Sequence, residues 1–104
     1  MRVEDLKIYG IPDLLVNSWK ENIGMELLPL QEMAVREYGL IEDRNLIISA
    51  PTSSGKTFCA EIAMARALLN GKKAVCMVPL KALAEERYRD FKRKYEPLGL
   101  KTII

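Results

Sequence analysis

The sequence contains no histidine, which removes imidazole from every proton-transfer or metal-site hypothesis. It has two cysteines, Cys59 and Cys76, and neither stands at the paired spacing of a metal site. Both sit in apolar runs and read as buried, reduced thiols of an intracellular protein. Long hydrophobic runs are missing too, with nothing near the roughly 20 residues of a membrane span. The start, Met1-Arg2-Val3-Glu4-Asp5-Leu6, lacks the apolar core and small-residue cleavage site of a signal peptide. A cytoplasmic protein with no membrane partner is expected. No charge of one sign dominates, since 16 basic residues face 14 acidic ones for a net charge of +2. Internal repeats and low-complexity linkers are also absent.

What is present is a chain of 104 residues, 49% of them hydrophobic, enough for one domain with a modest core. The basic residues gather late. Lys72, Lys73, Lys81, Arg87, Arg89, Lys92, Arg93, Lys94 and Lys101 outnumber Glu85, Glu86, Asp90 and Glu96. Such a third of the chain suits either a phosphate backbone or a solvated helix face.

Hydrophobic spacing predicts a helix over 13–23, with Leu14, Leu15, Trp19 and Ile23 on one face and Gly24 as its stop. A second helix starts at Pro29, whose fixed φ suits the first helical position; Leu30, Met33, Ala34 and Tyr38 form its stripe, and Gly39 ends it. The period then changes. Residues 45–49 and 74–78 are short apolar runs that read as buried strands, and 100–104 begins a third. Helices are expected between them, over 57–69, apolar on most sides and capped by Asn70-Gly71, and over 81–95, followed by Pro97 and Gly99. Strands alternating with helices predict an α/β fold with a parallel sheet, preceded by two N-terminal helices.

Between the first strand and its helix lies Ala50-Pro51-Thr52-Ser53-Ser54-Gly55-Lys56-Thr57. The pattern Gly-x4-Gly-Lys-Ser/Thr binds nucleotide phosphates, and here Ala50 stands in its first place. Backbone N–H groups from Ser53 to Thr57 would converge on anionic oxygens. Gly55 permits close backbone approach, Lys56 bridges the β- and γ-phosphates as a point charge, and the Thr57 hydroxyl ligates Mg²⁺. A Ser/Gly/Lys turn that merely caps a helix is the plainer alternative, but strand, loop and helix stand in the order the phosphate-binding pattern requires.

The loop resembles motif I of superfamily 2 helicases, which often carry Ala in that first place. Gln31, in Leu28-Pro29-Leu30-Gln31, resembles the Q motif, whose amide offers a donor and an acceptor to the adenine edge. Val78-Pro79-Leu80-Lys81-Ala82-Leu83-Ala84-Glu85-Glu86 resembles motif Ia, where a helix N-terminus holds a nucleic-acid phosphate; Pro79, Lys81 and Arg87 are the candidate contacts. Over nearly the whole chain the sequence is similar to the HelQ-like archaeal repair helicases, the Hjm group.

That resemblance implies a partial RecA-like P-loop NTPase domain. Residues 1–44 would be a helical segment with the Q motif, and 45–104 the first part of RecA-like domain 1. It implies ATP and Mg²⁺ as cofactors, 3′-to-5′ movement on single-stranded or forked DNA, and a role in repair at stalled forks. The family's catalytic Asp-Glu box is expected beyond residue 104, so the chain would bind nucleotide without turning it over. In such sheets later strands lie between the first two, so 45–49 and 74–78 are expected to have open edges. An RNA helicase of the same superfamily, a non-catalytic nucleotide-binding or interaction module, and a kinase- or transporter-type P-loop protein stay as alternatives. The last would lack Gln31 and the Pro79-Leu80-Lys81 element.

Overall fold

The computed structural model describes residues 1–42, 44–51 and 54–104. A 3-10 helix, Val3–Tyr9, opens the chain and is followed by α1 (Asp13–Asn22), α2 (Pro29–Arg36), α3 (Lys56–Leu69), α4 (Lys81–Tyr95) and a 3-10 turn, Glu96–Leu98. The four predicted α-helices are all present, the last with the bounds its spacing gave. The first helix escapes detection because only Val3 and Leu6 of it are buried, too few for a readable period. It is fixed at its start, where the Arg2 N–H donates to Asp5 Oδ2 at 2.9 Å, and by Gly10, whose φ of 87° closes its end.

The first residues lie alongside the segment joining α1 to α2. Val3 N–H donates to the Met25 carbonyl at 2.9 Å, Leu27 N–H to the Met1 carbonyl at 3.0 Å, and Arg2 and Glu26 form an antiparallel bridge. The N-terminal ammonium adds an ion pair with Glu32 on α2 at 3.2 Å. These contacts wrap the N-terminus around a core of Val3, Leu6, Leu15, Val16, Trp19, Val35, Phe58 and Ile62. Trp19 is its centre, fully buried and packed edge-on against Phe58 of α3 with ring centroids 5.2 Å apart. Such T-shaped pairs add to the burial of their area.

The expected parallel strands are not formed. Among the described residues there is no strand, and residues 45–49, 74–78 and 100–104 carry no backbone ladder. Each strand of a parallel sheet takes its hydrogen bonds from neighbours beyond a crossover, and none of these three segments supplies them to another. With no strand there is no strand edge to be open, but several apolar side chains of these segments are uncovered: Ile47 is 100%, Val75 82% and Met77 88% exposed, while Leu46 and Ile48 pack partly against the core.

Exposure corrects other expectations. Cys59 is buried but Cys76 is exposed, because its run is uncovered. Burial raises the Cys59 thiol pKa and suppresses its thiolate. Leu14 on α1, and Met33 and Tyr38 on and beyond α2, face outward; α2 ends at Arg36, before Tyr38 can join its stripe. Lys94, grouped above with the solvated charges, is buried.

Candidate phosphate-binding site

Helix α3 begins at the loop. Its N-cap is Gly55, in the left-handed region at φ 84° and ψ 28°, and among the described residues no side chain caps it. A helix start without a side-chain acceptor presents backbone N–H groups and the positive end of the helix dipole. Those donors suit phosphate oxygens, the chemistry expected of this loop.

Gly55 is glycine for two reasons. Its φ disfavours side chains, and an added Cβ would collide with Gln31 Nε2 and come within 2.9 Å of Leu28 Cδ1. Gln31 sits so close because it ties the start of α2 to the loop. Its Oε1 accepts from the Leu28 N–H at 2.8 Å, capping α2, and its Nε2 donates to the Gly55 carbonyl at 3.1 Å. Only 3% of Gln31 is exposed. Among the described residues, one N–H and one lone pair of the amide have no other partner.

On the other side of the loop, Ser54 Oγ bonds the Pro51 carbonyl and the Ser54 N–H donates to the same oxygen at 3.1 Å. Lys56 is half-buried, Thr57 exposed and Ala50 half-buried. Thr52 and Ser53 lie outside the described residues. Arg87 of α4 reaches this point, donating through Nη2 to Thr57 Oγ1 at 3.4 Å. The structure thus brings together Gln31, Gly55, Thr57 and Arg87 from three helices. Pro79 and Lys81 are exposed at the start of α4, whose N-terminus also has no side-chain cap.

Behind the loop is a buried polar cluster that spacing gave no hint of. Glu61, one turn along α3 from Thr57, accepts from Lys94 Nζ at 2.5 Å and from the Tyr95 hydroxyl at 2.5 Å. Tyr95 in turn accepts from Trp19 Nε1 at 2.8 Å, and Lys94 also pairs with Asp90 at 2.9 Å. Burial pushes the Tyr95 phenol far above its ordinary range, and the adjoining Glu61 carboxylate pushes it further. Burial works against the charge on Asp90, but Lys94 and then Arg93 outweigh it and hold that carboxyl below its ordinary value. The cluster joins α1, α3 and α4. The readable signal was a Glu inside an apolar helix, a residue type rarely buried unless paired.

A family model described as DEAD/DEAH box helicase matches residues 28–104, which include Gln31, Gly55, Lys56, Thr57, Glu61, Pro79, Lys81, Arg87, Lys94 and Tyr95 but not Trp19. The chain belongs to the DEAD/DEAH box helicase family. The family carries a RecA-like fold, the class that motif I and its flanking pattern predicted. Three relatives each bear the name ATP-dependent DNA helicase Hel308. That of Thermococcus kodakarensis is 46% identical over 98% of this chain and 9% of its own length. That of Pyrococcus abyssi is 56% identical over 76% and 11%, and that of Pyrococcus horikoshii 45% identical over 100% and 14%. The chain therefore spans about a tenth of these relatives.

The chemistry of the described loop residues is of the kind a nucleoside triphosphate takes. The start of α3 and the Lys56 ammonium offer donors that suit phosphate oxygens, and the Thr57 hydroxyl is an oxygen of the kind a hard cation takes. No helix is long and apolar enough to cross a membrane among the described residues.

Proposed function

We propose that this chain is the N-terminal part of an ATP-dependent 3′-to-5′ DNA helicase acting in repair at stalled forks, and that it holds the ATP phosphates. One observation carries the reading: Gln31 pins the carbonyl of Gly55 at the start of α3. The resemblance to motif I and the names of the relatives support it. Ala50 to Thr57 line the phosphates, Lys56 supplies the point charge, and Thr57 is the Mg²⁺ ligand. Gln31 meets adenine with its remaining N–H and lone pair. Pro79 and Lys81 at the start of α4, and Arg87 within it, face single-stranded or forked DNA. Residues 1–44 form the Q-motif segment and 45–104 the opening of RecA-like domain 1, where 45–49 and 74–78 become parallel strands once the rest of the helicase chain pairs with them. The site of action is the cytoplasm.

The test is Mg·ATP binding by Lys56→Ala. Losing a charge-assisted contact to phosphate weakens binding by roughly 10- to 100-fold. Equal affinity for parent and variant would remove the phosphate-binding assignment. The Hel308 names favour DNA over RNA as the substrate of the whole protein; stimulation of its ATP hydrolysis by single-stranded RNA in preference to DNA would reverse that choice.

A further inference from the structure

Helices α3 and α4 are joined at two points of unlike character. The inner one is Glu61 with Lys94 and Tyr95, where the Glu61 and Lys94 side chains are each only 5% exposed. Its charges are paired and its hydrogen bonds are short. Breaking it would strand a buried charge. The outer one is the contact of Arg87 with Thr57, solvent-exposed and 3.4 Å long. Among the described residues no carboxylate pairs with Arg87. A guanidinium that keeps its charge at every relevant pH therefore rests on a neutral hydroxyl.

That hydroxyl is the one a divalent cation would need. Arg87 donates into a lone pair of Thr57 Oγ1, and a metal is ligated through the same lone pairs. Two cations on one small oxygen repel each other, so the two arrangements exclude one another. The inner junction ties the end of α4 to α3 through Lys94 and Tyr95. The motion required is a swing of the Arg87 side chain.

We propose that Arg87 is a latch on Thr57, closed in the absence of a divalent cation and displaced to solvent when the cation takes the hydroxyl. The latch rests on the phosphate-binding reading above. Its consequence is that the chain gives up part of its preference for Mg·ATP over free ATP in order to release Arg87. Removing the arginine returns that part.

The experiment measures ATP affinity of the chain by calorimetry, once with Mg²⁺ and once with a chelator in its place. The readout is the ratio of the two affinities. Free ATP is more negative than Mg·ATP, so losing any nearby cation shifts this ratio. Lys81→Ala, which removes a charge from α4 without touching Thr57, sets the baseline that the Arg87 variants must exceed. In Arg87→Ala the gain from Mg²⁺ is expected to exceed that baseline by roughly three- to tenfold, the worth of one hydrogen bond. Arg87→Gln, which keeps the length of the stem, repeats the measurement, and Trp19 fluorescence checks that both variants fold. A ratio equal to or below that baseline in a folded variant overturns the latch. If the parent binds ATP in neither condition, the phosphate-binding reading itself fails and the latch with it.

Discussion

The helical body and the three segments 45–49, 74–78 and 100–104 both carry apolar residues, but many of these have opposite fates. Val3, Leu6, Val16, Trp19 and Ile62 are fully buried, whereas Ile47, Val75 and Met77 are between 82% and 100% exposed. The difference lies in the backbone. A helix closes its own hydrogen bonds, so α1, α2 and α3 need only a neighbouring apolar face, and each finds one nearby. A buried strand must borrow every bond from another strand. Helix α4 stands between these cases. It closes its own bonds, yet buries only Lys94 and Tyr95 at its end.

The contrast predicts where substitutions cost most. Trp19→Ala removes the centre of the body, its edge-on contact with Phe58 and its bond to Tyr95. A loss of about 3–5 kcal/mol is expected, a large part of the whole stability of a domain this small. Urea unfolding followed by helical circular dichroism measures it, since the variant loses the only tryptophan. A loss under about 1 kcal/mol would show that the body is no better packed than the segments.

Tyr95→Phe tests the polar joint between α1, α3 and α4 and is expected to cost less, about 1–3 kcal/mol, by leaving the Trp19 N–H without its partner. It also has a pH signature. The folded phenol has its pKa raised above the ordinary 10.0 by burial and then by Glu61, so the folded state holds its proton more tightly than the unfolded state. That stability is complete below pH 10 and declines as the pH rises beyond it. The parent should therefore lose stability in alkali, and Tyr95→Phe should flatten the decline. Parallel pH profiles for the two proteins would place Tyr95 outside the cluster.

How much of this was legible depends on whether a feature is local. The bounds of α4 and Pro29 at the start of α2 are set by nearby residues and could be read directly, whereas Gly39 is not the end of α2, which stops at Arg36. Of the loop's expected setting, the helix that follows Gly55 and Lys56 is present, whereas the strand expected before it is not formed. The Gln31–Gly55 tie was legible only through the resemblance that singled out Gln31; nothing in the spacing of the two joins them. Glu61, Lys94 and Tyr95 were not legible as a unit, since Lys94 is written among charges that stay in solvent and only the packing of α4 on α3 buries it. Arg87 was assigned to nucleic acid from its place in motif Ia, and its contact with Thr57 depends on that same packing. Residues 45–49 and 74–78 read as strands because composition records what a segment is suited to, whereas pairing depends on which partners reach it.

Met77→Thr gives the smallest effect and the sharpest form of the comparison. In a buried strand, exchanging methionine for a shorter polar side chain would leave a cavity and cost on the order of 2–5 kcal/mol. Met77 is 88% exposed and carries no ladder bond, so the cost here is expected within about 0.5 kcal/mol, as for other exposed positions. The substitution also takes apolar surface from an uncovered segment, which should lower any concentration-dependent self-association seen by sedimentation. A destabilisation of 2 kcal/mol or more would mean that residues 74–78 are packed and paired in solution. The division between a self-sufficient helical body and strand segments awaiting partners would then fail at its weakest point, while the order Trp19, Tyr95, Met77 in falling cost would uphold it.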